Sequence, residues 1–447
     1  MRNLKRFCLG AALALIAMWR PAAAQSDLDR KIDESIGGWM SAYKQLHEYP
    51  ELSTEEKETS ALLAAELKKL GFEVTERFGR YESGGTAYGI VAVMRNGPGS
   101  KVYVRTDMDA LPVTENTGLP FASKVRVKRP TGEVGVMHAC GHDLHMAVFL
   151  GTAKMMAENK DRWAGTLVMI GQPAEESVGG AAAMLRSGLY TRFPKPDFVL
   201  ALHDSPQLPA GTVGLHAGPM LAGADSVDIT IRGYGGHGAT PNLTKDPIVI
   251  ASELVLALQT IVSREMNPLE PTVITVGSFH AGTKHNIIPD DAHLQLTVRT
   301  MTPAQRERVL AAIRRITNGI AAAAGVPAER APIIEVAGDN VPATINDPAL
   351  TQRIAGAMEK SLGKEGVRQG QPIMASEDFS LFALQDPRPP ISMFWLGAVD
   401  PAKWKDAEEK GTRLPGLHSS EFFPLPEPAI RTGVKAMTAA AMELLRR

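Results

Sequence analysis

Apolar positions recur along this chain with two different periods. Between Asp27 and His47, the residues Ile32, Ile36, Met40, Tyr43 and Leu46 share one stripe at helical spacing. Pro50 stops that run, because proline disfavours helix in the residue before it. Ser53 and Glu56 have the spacing of a capping box for a following helix, which Gly71 closes after Leu70. Apolar runs then predict strands at 89–94, 101–105, 166–171 and 198–202. Three of them end in polar, ligand-type residues: Thr106-Asp107-Met108-Asp109, Gln172-Pro173-Ala174-Glu175-Glu176, and His203-Asp204. Helical patterns lie between these runs, so the first part of the chain reads as α/β. In open α/β sheets, sites gather beyond the carboxyl ends of the strands.

From Asp225 the pattern changes to alternation, with Val227, Ile229 and Ile231 on one face. A helix over 247–264, strands at 272–279 and 292–299, a helix over 303–323 and a strand at 332–336 follow. The order β-α-β-β-α-β is the ferredoxin-like arrangement. It predicts an inserted α+β domain over residues 223–341, with 25–222 and 342–447 forming one discontinuous domain. Within the last part, 393–396 reads as a buried strand and 427–445 as an amphipathic packing helix.

The densest chemistry is Met137-His138-Ala139-Cys140-Gly141-His142-Asp143-Leu144-His145. Helical periodicity resumes directly after it, so this cluster lies in a loop that opens a helix. A helix N-terminus favours a thiolate at Cys140, and a thiolate and an imidazole two residues apart can reach one metal ion. Adjacent Glu175 and Glu176 allow one carboxylate to bind metal while its neighbour moves protons. The glycine-rich stretch around His237 lacks the Lys-Ser or Lys-Thr of a phosphate loop. Its glycines suit close approach of the backbone to a substrate or another chain. His47, His216, His280 and His293 read as structural. His138, His145 and His285 stay open.

Composition narrows the classes. The 447 residues suggest at least two domains at about 150 residues each. A net charge of −1 gives no reason to expect nucleic acid or an anionic membrane as partner. The N-terminus adds Arg2, Lys5 and Arg6, an apolar stretch over 7–19, and Ala22-Ala23-Ala24. That is the pattern of a signal peptide over residues 1–24, which predicts a periplasmic or secreted protein with no membrane contact after cleavage. No later run approaches the length expected of a membrane span. Cys8 would leave with the leader, and a lone Cys140 in an oxidising compartment is best explained by metal coordination.

Taken together, these stretches resemble the M20 metallopeptidase family, in its amidohydrolase branch of hippurate hydrolases and hydrolases of indole-acetic-acid amino-acid conjugates. The stretches are D-M-D-A-L-P at 107–112, M-H-A-C-G-H-D at 137–143, P-A-E-E at 173–176, G-G-H-G-A-T-P at 235–241, H-N-I-I-P-D at 285–290, S-E-D-F at 376–379 and L-H-S at 417–419. They keep the family's order over the whole mature chain. The resemblance implies a di-metal exopeptidase-like catalytic domain, with a central mixed sheet flanked by helices, and a ferredoxin-like lid and dimerisation domain. It implies metal ligation by Cys140, His142, Glu176, His203 and His418. Glu175 takes the place of the general acid/base and Asp109 that of a residue orienting the site. His237 takes that of a lid histidine touching the reacting carbonyl, often across a dimer. Asn286 falls in a stretch implicated in substrate contact. Leu144 departs from the family's common G-H-D-G-H, at a position that is not a ligand.

Five donors suit two ions better than one, since a structural zinc takes four. The expectation is two divalent ions, zinc first, with manganese, cobalt or nickel admitted by the mixed donor set. The expected reaction is hydrolysis of the amide bond of an N-acyl amino acid, in a homodimer or higher homo-oligomer. Carboxypeptidase or dipeptidase action on short peptides is the near alternative. A metal-bearing binding protein without turnover is the alternative from another class.

Overall fold

The computed structural model describes residues 27–130, 132–338, 340–386 and 388–447. The expected signal peptide lies outside them. The chain divides into two compact units. The first comprises residues up to Leu215, Asp347–Gly370 and Gln385–Arg447; the second comprises His216–Asn346 and Gln371–Leu384. The second unit thus reaches beyond 223–341 and includes the Ser376-Glu377-Asp378-Phe379 stretch.

The first unit is built on an eight-stranded mixed sheet. Its order is Glu73–Arg80, Thr86–Asn96, Gly165–Gln172, Lys101–Asp107, Phe198–Pro209, Ile391–Val399, Val213–Leu215 and Val367–Gln369. The four strands from Gly165–Gln172 to Ile391–Val399 run parallel to one another. Parallel strands are covered on both faces, which explains the unbroken burial from Val102 to Asp107. The helix His142–Glu158 is buried along almost its whole length. It packs against Lys5–Glu48, whose side chains are described from Asp27, and against Pro426–Leu444. The terminal helix is therefore core, with Ile430, Val434, Met437 and Leu444 in the main apolar cluster.

Local signals and structure part company at Ser53 and Glu56. A capping box on Ser53 and Glu56 would start the helix at Thr54, but the helix is Lys57–Lys69, and the side chain of its N-cap, Glu56, makes no capping bond. Glu51 instead accepts the N–H groups of Glu58 and Thr59, at 3.1 and 2.7 Å. Ser53 and Glu56 are turned toward other partners, described below.

The second unit follows the alternation closely. Gly223–Arg232, Thr272–Ala281, Asp291–Thr300 and Ile333–Val336 form a four-stranded antiparallel sheet, with Gly223–Arg232 and Asp291–Thr300 in the middle. Helices Pro247–Thr260 and Pro303–Ala323 complete the ferredoxin-like order. Each starts with proline, whose missing N–H costs nothing in the first turn, and each is capped by the preceding side chain, Asp246 or Thr302. Val227, Ile229, Leu254, Leu258, Leu294 and Ile313 fill the core between sheet and helices. Pro247–Glu265 is long and apolar enough to cross a membrane by length and composition, contrary to expectation. One face of it, Ile250, Ala251, Leu254 and Leu258, is buried in this core.

Candidate metal centre

Strand geometry brings the expected donors together. The strand Lys101–Asp107 pairs with Phe198–Pro209 only as far as Arg105 opposite Ala201. His203 and Asp204, expected just after a strand, lie within it but beyond that last pair. They therefore face the crevice at the carboxyl ends, where Asp107, Asp109 and the 173–176 loop also emerge. Gly141 lets the 137–145 loop enter the same space: its φ is 72°, and a Cβ there would sit 2.6 Å from the Asp204 carboxylate.

All five expected ligands meet. The donor atoms of Cys140, His142 and His203 lie within 4.8 Å of one another, as do those of Cys140, Glu176 and His418, and those of His142, Glu175 and Glu176. Cys140 Sγ is 3.5 Å from His203 Nε2 and 3.3 Å from His418 Nε2. The ring orientations suit ligation. His142 Nδ1 lies 2.8 Å from the Asp109 carbonyl, and His203 Nδ1 lies 2.8 Å from the Asp204 carbonyl. Each imidazole can donate there and turn Nε2 toward the cluster, the usual second-partner arrangement of a metal histidine. His418 reaches in on a left-handed residue, φ 65°, held by its N–H to the Ala139 carbonyl at 2.7 Å.

The donors fit a divalent cation on two counts. Among the described residues, His142 Nε2 and Glu176 Oε1 are buried with no hydrogen-bond partner, His418 Nε2 standing 3.5 Å from the latter, which is costly unless something else satisfies them. The surrounding field is also strongly negative. Burial, then Glu176, Glu175, Asp204 and Asp107, push the Cys140 thiol well above its usual value. This reverses the expectation that the helix terminus alone favours the thiolate; a cation is needed to hold the sulfur deprotonated. Burial opposes a proton on His142, but Asp107, Asp109 and Glu176 prevail and raise its pKa well above the usual value.

Asp109 is the hub of the support. Its carboxylate accepts the backbone N–H groups of Glu175, at 3.1 Å, and Glu176, at 3.0 Å. It also accepts the Ser53 hydroxyl at 2.6 Å. Burial raises its pKa, but His142, the Ser53 hydroxyl and the Glu176 N–H outweigh that and lower it.

Several buried groups around the site are not singled out by the motifs. Asp107 is bonded to Arg105 at 2.7 Å and to His145 at 2.7 Å, and forms a further ligand-type group with His142 and His145. The Asp-Met-Asp spacing at a strand end was the available signal for it. His145 spans Asp107 and Asp204, the latter at 3.1 Å. His47, read as structural, is a buried bridge between Asp143 at 2.6 Å and Glu115 at 3.1 Å. Glu56 is wholly buried. Burial, then Asp109, push its carboxyl up to about 8. His237 and Asn286 lie together on the second unit. Gly236–His237 pairs with Ile287–Ile288, and the Gly238 N–H donates to the Asn286 carbonyl at 3.0 Å. Both side chains are exposed.

A mixed sheet that delivers thiol, imidazole and carboxylate donors to one crevice defines a hydrolase of the metallopeptidase class. The chain belongs to peptidase family M20/M25/M40, whose sequence profile matches residues 103–443. Thermostable carboxypeptidase 1 of Saccharolobus solfataricus is 38% identical over 90% of this chain and 93% of that relative. N-acetyl-L-cysteine deacetylase of Bacillus subtilis is 38% identical over 76% of each. Among solved structures, the Bacillus subtilis YXEP protein, a dinuclear metal-binding peptidase of family M20, superposes with a TM-score of 0.73 at 29% identity. That match covers 92% of this chain and 99% of the other.

Proposed function

We propose that this chain hydrolyses the amide bond of N-acyl amino acids, giving a carboxylic acid and a free amino acid. The observation that carries this reading is the convergence of five metal-type donors beside a sixth, buried carboxylate, Glu175. Two divalent ions held by Cys140, His142, Glu176, His203 and His418 would activate a water near neutral pH and polarise the scissile carbonyl. Glu175 accepts the proton of the attacking water and returns it to the nitrogen as the C–N bond breaks, so its carboxylate is regenerated. Asp109 orients Glu175 and Glu176 through their backbone N–H groups. His237 and Asn286 are assigned to substrate contact, supported by the family resemblance and by their adjacency. Zinc is the first choice of metal because of the thiolate, with manganese, cobalt or nickel as the others.

A second reading, carboxypeptidase action on short peptides, is favoured by the Saccharolobus relative. The bond and the proton path are the same. Purified enzyme offered N-benzoyl and N-acetyl amino acids beside dipeptides separates the two. Cleavage of dipeptides alone would select the second, and cleavage of neither would leave a metal-bearing binding protein. In the active case Glu175→Gln should lower turnover by roughly 10²–10⁴-fold, with metal content by elemental analysis unchanged. Export to the periplasm or medium, supported by the basic and apolar N-terminus, is checked by cell fractionation. A homodimer is checked by light scattering.

A further inference from the structure

The loop that carries Glu175 and Glu176 is bent against its own preferences. Ala174 and Val178 sit at φ 50° and 54°, in the left-handed region that non-glycine residues avoid. The Ala174 carbonyl accepts from both Gly179 and Gly180, at 3.1 and 3.2 Å. The turn is so tight that a Cβ on Gly180 would lie 1.5 Å from the Pro173 oxygen. Such a conformation persists only where its surroundings over-determine it.

Those surroundings are two buried carboxylates. The N–H groups of three consecutive residues, Ala174, Glu175 and Glu176, point at them. Glu175 and Glu176 donate to Asp109, and Ala174 donates to Glu56 Oε1 at 2.7 Å. The same Oε1 accepts the N–H of Thr54 at 2.9 Å, and Thr54 is itself left-handed, φ 72°. One oxygen therefore joins two strained turns that are 118 residues apart in sequence. Ser53, in the first of those turns, also bonds to Asp109. The 53–56 segment thus braces the 174–176 backbone twice, once directly and once through Asp109. Neither Ser53 nor Glu56 caps the helix they precede.

We propose that Glu56 is a positioning residue for the reaction: it clasps the 51–56 turn to the Ala174 N–H and so fixes the aim of Glu175. This rests on reading Glu175 as the proton carrier. What the clasp requires is an acceptor oxygen at the reach of a glutamate side chain, not a negative charge. Glutamine keeps that oxygen. Aspartate keeps the charge but withdraws the oxygen by about one carbon–carbon bond, roughly 1.5 Å.

The test compares Glu56→Gln with Glu56→Asp in the full-length, metal-loaded enzyme. Two readouts are taken: backbone hydrogen exchange over peptides spanning 170–180, and steady-state kinetics. Glu56→Gln should keep exchange protection at 173–180 and kcat within about 3-fold of wild type. Glu56→Asp should lose protection there and not elsewhere. Its kcat should fall about 10²-fold, the scale of a misplaced group near 1 Å, with KM within about 3-fold and metal content retained. Any other pairing overturns the proposal: both variants intact, both impaired, or aspartate intact and glutamine impaired. Loss of protection throughout the protein would likewise show Glu56 to be a general stabiliser. If wild-type enzyme cleaves no N-acyl amino acid, the functional reading fails, while the exchange measurement still reports on the clasp.

Discussion

The two units hold their candidate functional groups in opposite ways. In the first, every expected ligand but His418 is buried or nearly so, and the imidazoles of His142 and His203 are aimed by backbone carbonyls. In the second, His237 is exposed on a two-residue strand; ladder pairing and the Thr240 N–H hold its backbone, and its ring has a local contact, Nδ1 accepting the Ala239 N–H at 3.0 Å. Metal donors must be held before the metal arrives, because each mis-set angle weakens the site. A group that meets a variable substrate gains from being less constrained. Substitutions in the two places should therefore fail differently. Cys140→Ala should remove a donor shared by two ligand groups and lose metal and activity together, at least 10³-fold in turnover by the scale of lost metal catalysis, roughly. Elemental analysis showing full occupancy would contradict it. His237→Ala should leave metal content intact and lower kcat/KM by about 10–10²-fold, about 1.4–2.7 kcal/mol of transition-state stabilisation. Equal metal loss in both variants would erase the distinction between the units.

The same contrast governs what could be read from the sequence. Alternation at Val227, Ile229 and Ile231, and proline after Asp246 and Thr302, are local signals, and the second unit obeys them almost residue for residue. In the first unit the strands were legible as apolar runs, but their partners were not. The polarity of His203 interrupts the apolar run, so the pattern places it after a strand. His203 lies inside Phe198–Pro209, paired with Trp395 on one side and beyond the last pair with Lys101–Asp107 on the other. Ser53 and Glu56 show the limit most clearly. Their spacing fits a helix cap, yet their side chains serve Asp109 and Ala174, while Glu51 takes over the helix. Contacts that span a hundred residues leave no periodicity to detect. The donors themselves were legible because a thiol, imidazoles and carboxylates crowd into short motifs.

A stability measurement sharpens the comparison from the other side. Leu254 is fully buried in the second unit's apolar core. Leu254→Ala should cost about 2–5 kcal/mol there, read as a lower denaturant midpoint. Metal content of the folded protein should be unchanged, since no donor lies in that core. Coupled loss of metal at denaturant levels that leave the first unit folded would show that the donors depend on the second unit's packing.

The smallest expected effect is a slope. His47 is buried, and its two ring nitrogens bond to Asp143 and Glu115, neither of which is among the five expected ligands. Burial opposes its charge, but the hydrogen bonds to Asp143 and Glu115 prevail and raise its pKa to about 10. Its unfolded value is near 6.5. The folded state therefore holds this proton more tightly than the unfolded chain does. Its contribution to stability is fully present below about pH 6.5, and it fades as pH rises from there through about 10. His47→Gln removes the titrating ring. The gap in melting temperature between wild type and His47→Gln should thus be widest near pH 6–7 and narrow steadily toward pH 10. A gap that stays constant over that range would mean the ring is neutral in the folded protein and bridges its two carboxyl neighbours by geometry alone.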